Sequence, residues 1–198
     1  MNTPDLETKR LILRKFTEED IPALYQIYSD IHVNTYLPWF SITSMQEAQG
    51  LYYKKYADIY EKPSGYQYAI CLKENNIPIG YVHVSMEENH DLGYALRKEY
   101  WHQGIVKEAS LEVVKQVKKD GLPYITATHD IHNSRSGHVM QAIGMKYQYT
   151  YEELWQPKNF SVTFRMYQLN FNEADNFVYL KYWNMHKHHF IEEQLFKE

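Results

Sequence analysis

A single cysteine, Cys71, in a chain of 198 residues leaves no partner for an internal disulfide and no thiol pair for zinc. A disulfide-stapled secreted scaffold and a zinc ribbon are both excluded, and a reducing, cytoplasmic setting fits. Long apolar runs are also missing: nothing approaches the ~20 residues that cross a bilayer, and the first residues, Met1 to Asp5, are polar. No membrane partner is expected. Excess positive charge is absent too, since 21 basic against 25 acidic residues leave a net charge of −4, the wrong sign for displacing phosphate counterions. Nucleic acid is therefore not an expected partner. Repeats, low-complexity tracts and Gly/Ser- or Pro-rich linkers are lacking, which argues for one continuous unit. What the chain does have is a 44% hydrophobic content, enough to rule out disorder for the bulk, and an unusual supply of aromatic side chains: 19 Tyr, 8 Phe and 4 Trp.

Periodicity orders the elements. Arg10 to Phe16 reads as a strand, followed by a helix that starts near Thr17 or Asp20 and carries Leu24, Ile27, Tyr28 and Ile31 at helical spacing. Ser44 caps a second helix with Ala48, Leu51, Tyr52 and Ile59 on one face. Tyr66, Tyr68, Ile70 and Leu72 alternate as a strand, Asn75-Asn76 supplies a tight turn, and Ile79, Tyr81 and His83 alternate onward. A strand from Asp91 to Arg97 then leads through Lys98–Gly104 into a helix marked by Ile105, Ala109, Val113 and Val117 and ended by Gly121. Tyr124–Thr128 is a strand. A helix opened by Asn133 and stopped by Gly144 follows, then strands through Tyr147–Tyr151 and Val162–Met166. The order predicts a mixed α/β fold, and Asp175 to Lys197, with Phe177, Leu180, Trp183, His186 and Phe190 at roughly helical spacing, reads as a helical appendix.

Several segments resemble the GNAT superfamily of N-acetyltransferases, and within it the ribosomal-protein alanine N-acetyltransferases. They are Leu6–Arg14, Ile79-Gly80, Leu92-Gly93-Tyr94, Tyr100–Ala109, the pair Asn133 and Ser136, and Ile143-Gly144-Met145, which together span Leu6 to Leu169. The resemblance implies an α/β (α+β) domain over residues 1–170, built on a twisted, mostly antiparallel sheet of about seven strands flanked by helices, with a C-terminal helical extension over 171–198. It also implies transfer of an acetyl group from acetyl-CoA to a primary amine, on a protein N-terminus or a small molecule, by direct attack through a tetrahedral intermediate. Cys71 matches no nucleophile position of the family.

Physical chemistry independently favours an anion site where the strand after Asp91 runs into its helix: Gly104 permits close backbone approach, and free N–H groups and the positive helix end face outward. Gln103, Gly104, Ile105, Val106 and Lys107 are assigned to a pyrophosphate cradle. The sequence departs from the family pattern there, with Trp101 and Val106 at the first and last places of the loop motif. An amine of pKa near ~10 is mostly protonated at neutral pH, so a base is useful. The resemblance points to Asp91 for that role, with Glu87, Glu88 and His129 as alternates. It matches Ser136 to the serine beside the departing sulfur, Asn133 to the asparagine beside the pantetheine arm, and backbone N–H groups around Leu96 to the donors that hold the thioester oxygen. Asn133 and Ser136 also suit a helix cap. Trp39 and Phe40, between the two early helices, fall where relatives border the acceptor, so an aromatic wall or plain core packing is expected of them.

His186, His188 and His189 lack partners at ligand spacing and are read as surface, so no metal is assigned. The apolar stripe from Phe177 to Phe190 would serve either a homodimer contact or a fold-back on its own domain, the second being favoured. The competing functional reading is a non-catalytic acyl-CoA-binding module on the same fold.

Overall fold

A computed structural model describes residues 2–172 and 176–195. The chain opens with two short strands, β1 (Leu6–Glu7) and β2 (Leu11–Arg14), the second burying Leu11 and Leu13 by alternation. Helix α1 (Ile21–Ser29) begins after a turn in which the Asp20 carboxylate accepts from the Thr17 N–H and pairs with Arg14 at 2.6 Å. Its Leu24, Ile27 and Tyr28 are buried, but Ile31 belongs to a separate helical turn, α2 (Ile31–Asn34), and is exposed, so the expected apolar face ends one turn early. Helix α3 (Met45–Tyr52) is capped by Ser44, whose hydroxyl accepts from the Glu47 N–H. It continues through a π-helical turn, Tyr53–Ala57, into the short α4 (Asp58–Tyr60).

Strands β3 (Tyr66–Leu72), β4 (Pro78–Val84) and β5 (Leu92–Leu96) complete an antiparallel five-stranded sheet in the order β1-β2-β3-β4-β5. After helix α5 (Ile105–Lys119), strand β6 (Tyr124–Asp130), helix α6 (Ser134–Ala142) and strands β7 (Lys146–Trp155) and β8 (Phe160–Asn170) follow. The second sheet is also antiparallel, in the order β6-β8-β7 plus a two-residue edge strand, β9 (His189–Phe190). The two long-strand sets make up the expected mixed, mostly antiparallel α/β fold.

The sheets meet at one parallel bridge, Asp91 to Thr126, where the Thr126 N–H reaches His90 O at 3.3 Å and its hydroxyl reaches Asn89 O at 2.7 Å. Beyond it β5 and β6 form no ladder, and Leu92–Leu96 and Thr128–Asp130 line opposite walls of one cleft. Helix α5 buries Ile105, Ala109, Val113 and Val117 on one face of the first sheet, while α1, α3 and the π turn bury Tyr28, Tyr52 and Tyr56 on the other. With helices covering both faces of the first sheet, the crevice opens at its free edge.

The C-terminal segment departs from its helical expectation. Helix α7 (Lys181–Met185) is a little over one turn long, and the other described residues of the segment hold no longer helix than a 3-10 turn at Glu193–Leu195. Tyr179 is buried against Tyr149 and Tyr151, the Tyr149 hydroxyl donates to Tyr179 O at 2.6 Å, and Arg165 clasps Glu192 at 2.6 Å. Of the expected stripe, Trp183 and His186 lie against the β7 rings Tyr149 and Tyr151 and Phe177 lies against Tyr124 of β6, whereas Leu180 and Phe190 are exposed. The expected segment Asp175 to Lys197 falls partly outside the described residues.

Candidate active site

The bend before α5 is made of two left-handed residues, His102 (φ 61) and Gly104 (φ 70), the second being the helix N-cap. The first intrahelical bond runs from Glu108 N–H to Gly104 O at 3.0 Å, so the N–H groups of Ile105, Val106 and Lys107 remain free at the positive helix end. A carboxylate at Glu108 would repel an anion there, but it is turned away. Burial favours its neutral form, yet hydrogen bonds from Thr8, Arg10 Nε and the Arg10 N–H outweigh this and hold the group ionised, below its ordinary pKa. Trp101 at the motif's first place anchors the bend, donating from Nε1 to Leu96 O at 2.7 Å, with the Arg135 guanidinium 4.3 Å over its ring. The Val106 side chain is partly buried against the core, and the residue also lines the cleft. Gln103 is exposed, its amide donating to Glu99 O, and it is not part of the cleft wall.

Strand register decides which backbone groups face the gap. The Arg97 N–H donates to Ile79 O, and Ser85 N–H to Asp91 O, so those facing pairs are the hydrogen-bonded ones. The alternate residues Leu92, Tyr94 and Leu96 then direct their N–H groups away from β4, toward the cleft. Leu96 was expected to supply the donor. Tyr94 offers an equivalent N–H two residues closer to Asp91.

Asp91 stands where the two sheets part. One carboxylate oxygen is buried without a hydrogen-bond partner, and desolvation pushes its pKa up to about 7. Tyr94, three residues on, places its hydroxyl 2.9 Å from both Ser136 Oγ and Ser136 O. Burial raises its pKa, so it stays a proton carrier at neutral pH. Asn133 caps α6 by accepting from the Ser136 N–H at 3.4 Å, and it lines the cleft as well. Glu87 and Glu88 are exposed and lie off the cleft. His129 is in it, its ring over Gly137, Nδ1 against Asp130 O at 2.8 Å, and Nε2 buried without a partner.

At the other end Trp39 lines the cleft, its Nε1 donating to Asn34, whereas Phe40 is 64% exposed and does not. Two groups there escaped the sequence reading. Lys55 holds its ammonium over Trp39, Tyr28 and Tyr81 at 4.3, 5.1 and 5.1 Å. His83 lies against Gly93, stacked on Tyr81, and burial lowers its pKa to about 3. A lysine in a helix reads as solvent-facing, so no signal in the sequence singled it out. Tyr94 was visible as part of a motif but was one tyrosine among many. The whole cleft has a volume of about 770 Å³, room for a long, flexible ligand and a second small one.

Residues 10–146 match the family profile described as "Acetyltransferase (GNAT) domain". The uncharacterized N-acetyltransferase YoaA of Bacillus subtilis is 27% identical over 148 residues, covering 72% of this chain and 83% of its own. Among solved structures, a GNAT-family acetyltransferase of Bacillus anthracis superposes with a TM-score of 0.74 at 22% identity, over 86% of this chain and all of that one. The microcin C7 self-immunity acetyltransferase MccE, solved with acetyl-CoA and AMP, gives 0.72 at 14% identity, over 82% of this chain and 93% of that one. With a helix-capping glycine at φ 70, a strand gap lined by free N–H groups and a profile match over most of its length, the chain belongs to the GNAT acetyltransferase family and is an acyltransferase.

Proposed function

We propose that the cleft transfers an acetyl group from acetyl-CoA to a primary amine by direct attack. Acetyl-CoA supplies the activated acyl thioester; everything else falls to the chain. The free N–H groups of Ile105, Val106 and Lys107 would hold the pyrophosphate, and Leu96 and Asn133 would border the pantetheine arm. The Tyr94 N–H would receive the thioester oxygen as it gains negative charge, since a donor near Leu96 would lie five residues, roughly 17 Å of extended chain, from Asp91. Asp91, directly or through a water, takes a proton from the attacking nitrogen as the C–N bond forms. The Tyr94–Ser136 hydroxyl pair delivers a proton to the sulfur as the C–S bond breaks.

The observation that carries this reading is the meeting, at one strand gap, of a desolvated and half-unpartnered Asp91 with a hydrogen-bonded hydroxyl pair. A passive acyl-CoA-binding module has no use for either. The test is a panel of primary amines assayed for free-thiol release from acetyl-CoA, with Tyr94→Phe alongside. The variant is expected to lose about 10- to 100-fold in kcat while acetyl-CoA affinity by calorimetry is kept. Absence of thiol release with every amine, despite tight acetyl-CoA binding, would favour the binding module.

A further inference from the structure

The Lys55 ammonium is an unusual group to leave in a cleft. Among the described residues no carboxylate lies within salt-bridge distance of it and no hydrogen-bond acceptor meets it, although three aromatic faces surround it. It projects from the π turn Tyr53–Ala57, an arrangement found disproportionately at functional sites, while its neighbour Lys54 is exposed to solvent. The rings offset part of the cost of desolvating a cation, and their faces leave one direction open, toward the cleft. Burial lowers its pKa to about 8, and no neighbouring anion holds it up. It therefore remains mostly charged at neutral pH. Next to it His83, kept neutral, has a buried Nδ1 with no partner. This end of the cleft thus holds one uncompensated positive charge and one unsatisfied polar atom, which is the signature of a recognition site rather than of a packed core.

The register sets the distance to the reacting end. Tyr81, His83 and Ser85 of β4 face Ala95, Gly93 and Asp91 of β5, and directly opposite residues share a face of the sheet. Lys55 lies over Tyr81 beside His83, His83 covers Gly93, and Asp91 stands one pair further along. At ~3.4 Å per residue the positive and negative poles are roughly 10 Å apart. The charge of Asp91 acts on Tyr94, Tyr151 and Tyr182, away from Lys55.

From this juxtaposition we infer that the acceptor is an anionic amine, its nitrogen at Asp91 and a carboxylate or phosphate about 10 Å away on Lys55, with Trp39 and Tyr81 against the linking chain. The inference rests on the acetyl-transfer reading above and sharpens its acceptor class.

The test compares ω-amino acids of graded length with their methyl esters, aminoalkyl phosphates with their neutral dimethyl esters, and both with plain alkylamines and diamines, in wild type, Lys55→Met and Lys55→Arg. Thiol release reports turnover, and stabilisation of the protein against heat by the same amines reports binding without turnover. Wild type is expected to prefer the anionic member of each pair about tenfold or more in kcat/KM, mainly through KM, with an optimum at intermediate length. Lys55→Met should bring that ratio to about one and Lys55→Arg should largely restore it. The carboxylate and phosphate arms identify which anion is the better occupant. Indifference to the anion, a preference for diamines, or an unchanged ratio in Lys55→Met would overturn the inference while leaving acetyl transfer intact. Anion binding that depends on Lys55 without any thiol release would instead uphold the site and overturn the transfer reading.

Discussion

At the scale of single residues, the chemistry turns on how the cleft treats Asp91. A carboxylate titrating near 7 is half ionised at neutral pH and strong enough as a base to be useful there. Since the ionised form is the active one, kcat/KM should rise with pH through about 7, and for anionic acceptors it should fall again above about 8 as Lys55 loses its charge. Asp91→Asn should lose that limb along with about 10²- to 10⁴-fold of the rate. The same environment makes Asp91 a liability to the fold, and the sign is opposite. Its folded pKa lies above the unfolded value of ~3.9, so its neutral form is favoured by folding; that contribution is complete below about pH 4 and is lost as pH rises through about 7. At pH 8 the ionised group costs up to ~4 kcal/mol, an upper bound that water reaching the cleft reduces. Asp91→Asn is thus expected to melt higher than wild type at pH 8 and with little difference at pH 4. Equal melting temperatures at pH 8 would mean that Asp91 is better solvated than its unpartnered oxygen implies.

At the scale of elements, two glycines hold the architecture that presents this residue. Gly80 lets β5 lie close: a Cβ there would meet Ala95 O at 2.3 Å and Leu96 Cα at 3.0 Å, both backbone atoms that move only if the strands part. Gly80→Ala should therefore destabilise by a few kcal/mol, as overpacking does, and disturb acetyl-CoA binding through the displaced β5. Gly104 is different, since a Cβ there would meet only Arg10 Nη2 at 3.9 Å, an ordinary contact, and only the φ of 70 objects. Gly104→Ala should cost ~1–2 kcal/mol of stability and little else, whereas Gly104→Asp adds an anion to the cradle and should abolish measurable acetyl-CoA binding by calorimetry while the protein remains folded. These elements were largely legible in the sequence because local rules and tertiary burial agree: Tyr66, Tyr68 and Ile70 alternate and are buried, and Ile105, Ala109, Val113 and Val117 trace a helical face that packs on the sheet. The misses have physical reasons. The π turn between α3 and α4 adds one residue to a periodic run without any marker in composition. The ends of strands β5 and β6 part for reasons of pairing across 30 residues, which no local pattern records. The candidate residues were legible as types, Asp91 and Ser136 from a resemblance and Gly104 from helix chemistry. The environment that makes Asp91 basic, Tyr94 a partner of Ser136 and Lys55 an inward cation is supplied by segments remote in sequence.

At the scale of the whole molecule, two sheets joined at a single bridge need something to keep the cleft dry, and the C-terminal segment does this. Tyr182 comes over the gap, its hydroxyl accepting from Asn89 Nδ2 at 2.8 Å and its ring stacked on Tyr151, with both rings in the cleft wall near Asp91. The segment is tied down behind it by the partly buried Arg165–Glu192 pair, to which the Thr150 hydroxyl adds a 2.6 Å hydrogen bond. The exposed Lys181–Glu88 pair nearby contributes little by comparison. The elevated pKa of Asp91 comes from desolvation alone, so it is a property conferred partly by residues ninety positions away. Tyr182→Ala would admit water beside the carboxylate without touching β5. Its acid limb in kcat/KM should then move from about 7 toward the ordinary carboxylate range near ~4, and the plateau rate should fall, because a weaker base assists proton removal less. A pH profile of the variant decides the matter: a limb that stays at 7 would show that β5 and its own neighbours dry the site unaided, and would reduce the C-terminal segment to a cover for the rings of β7.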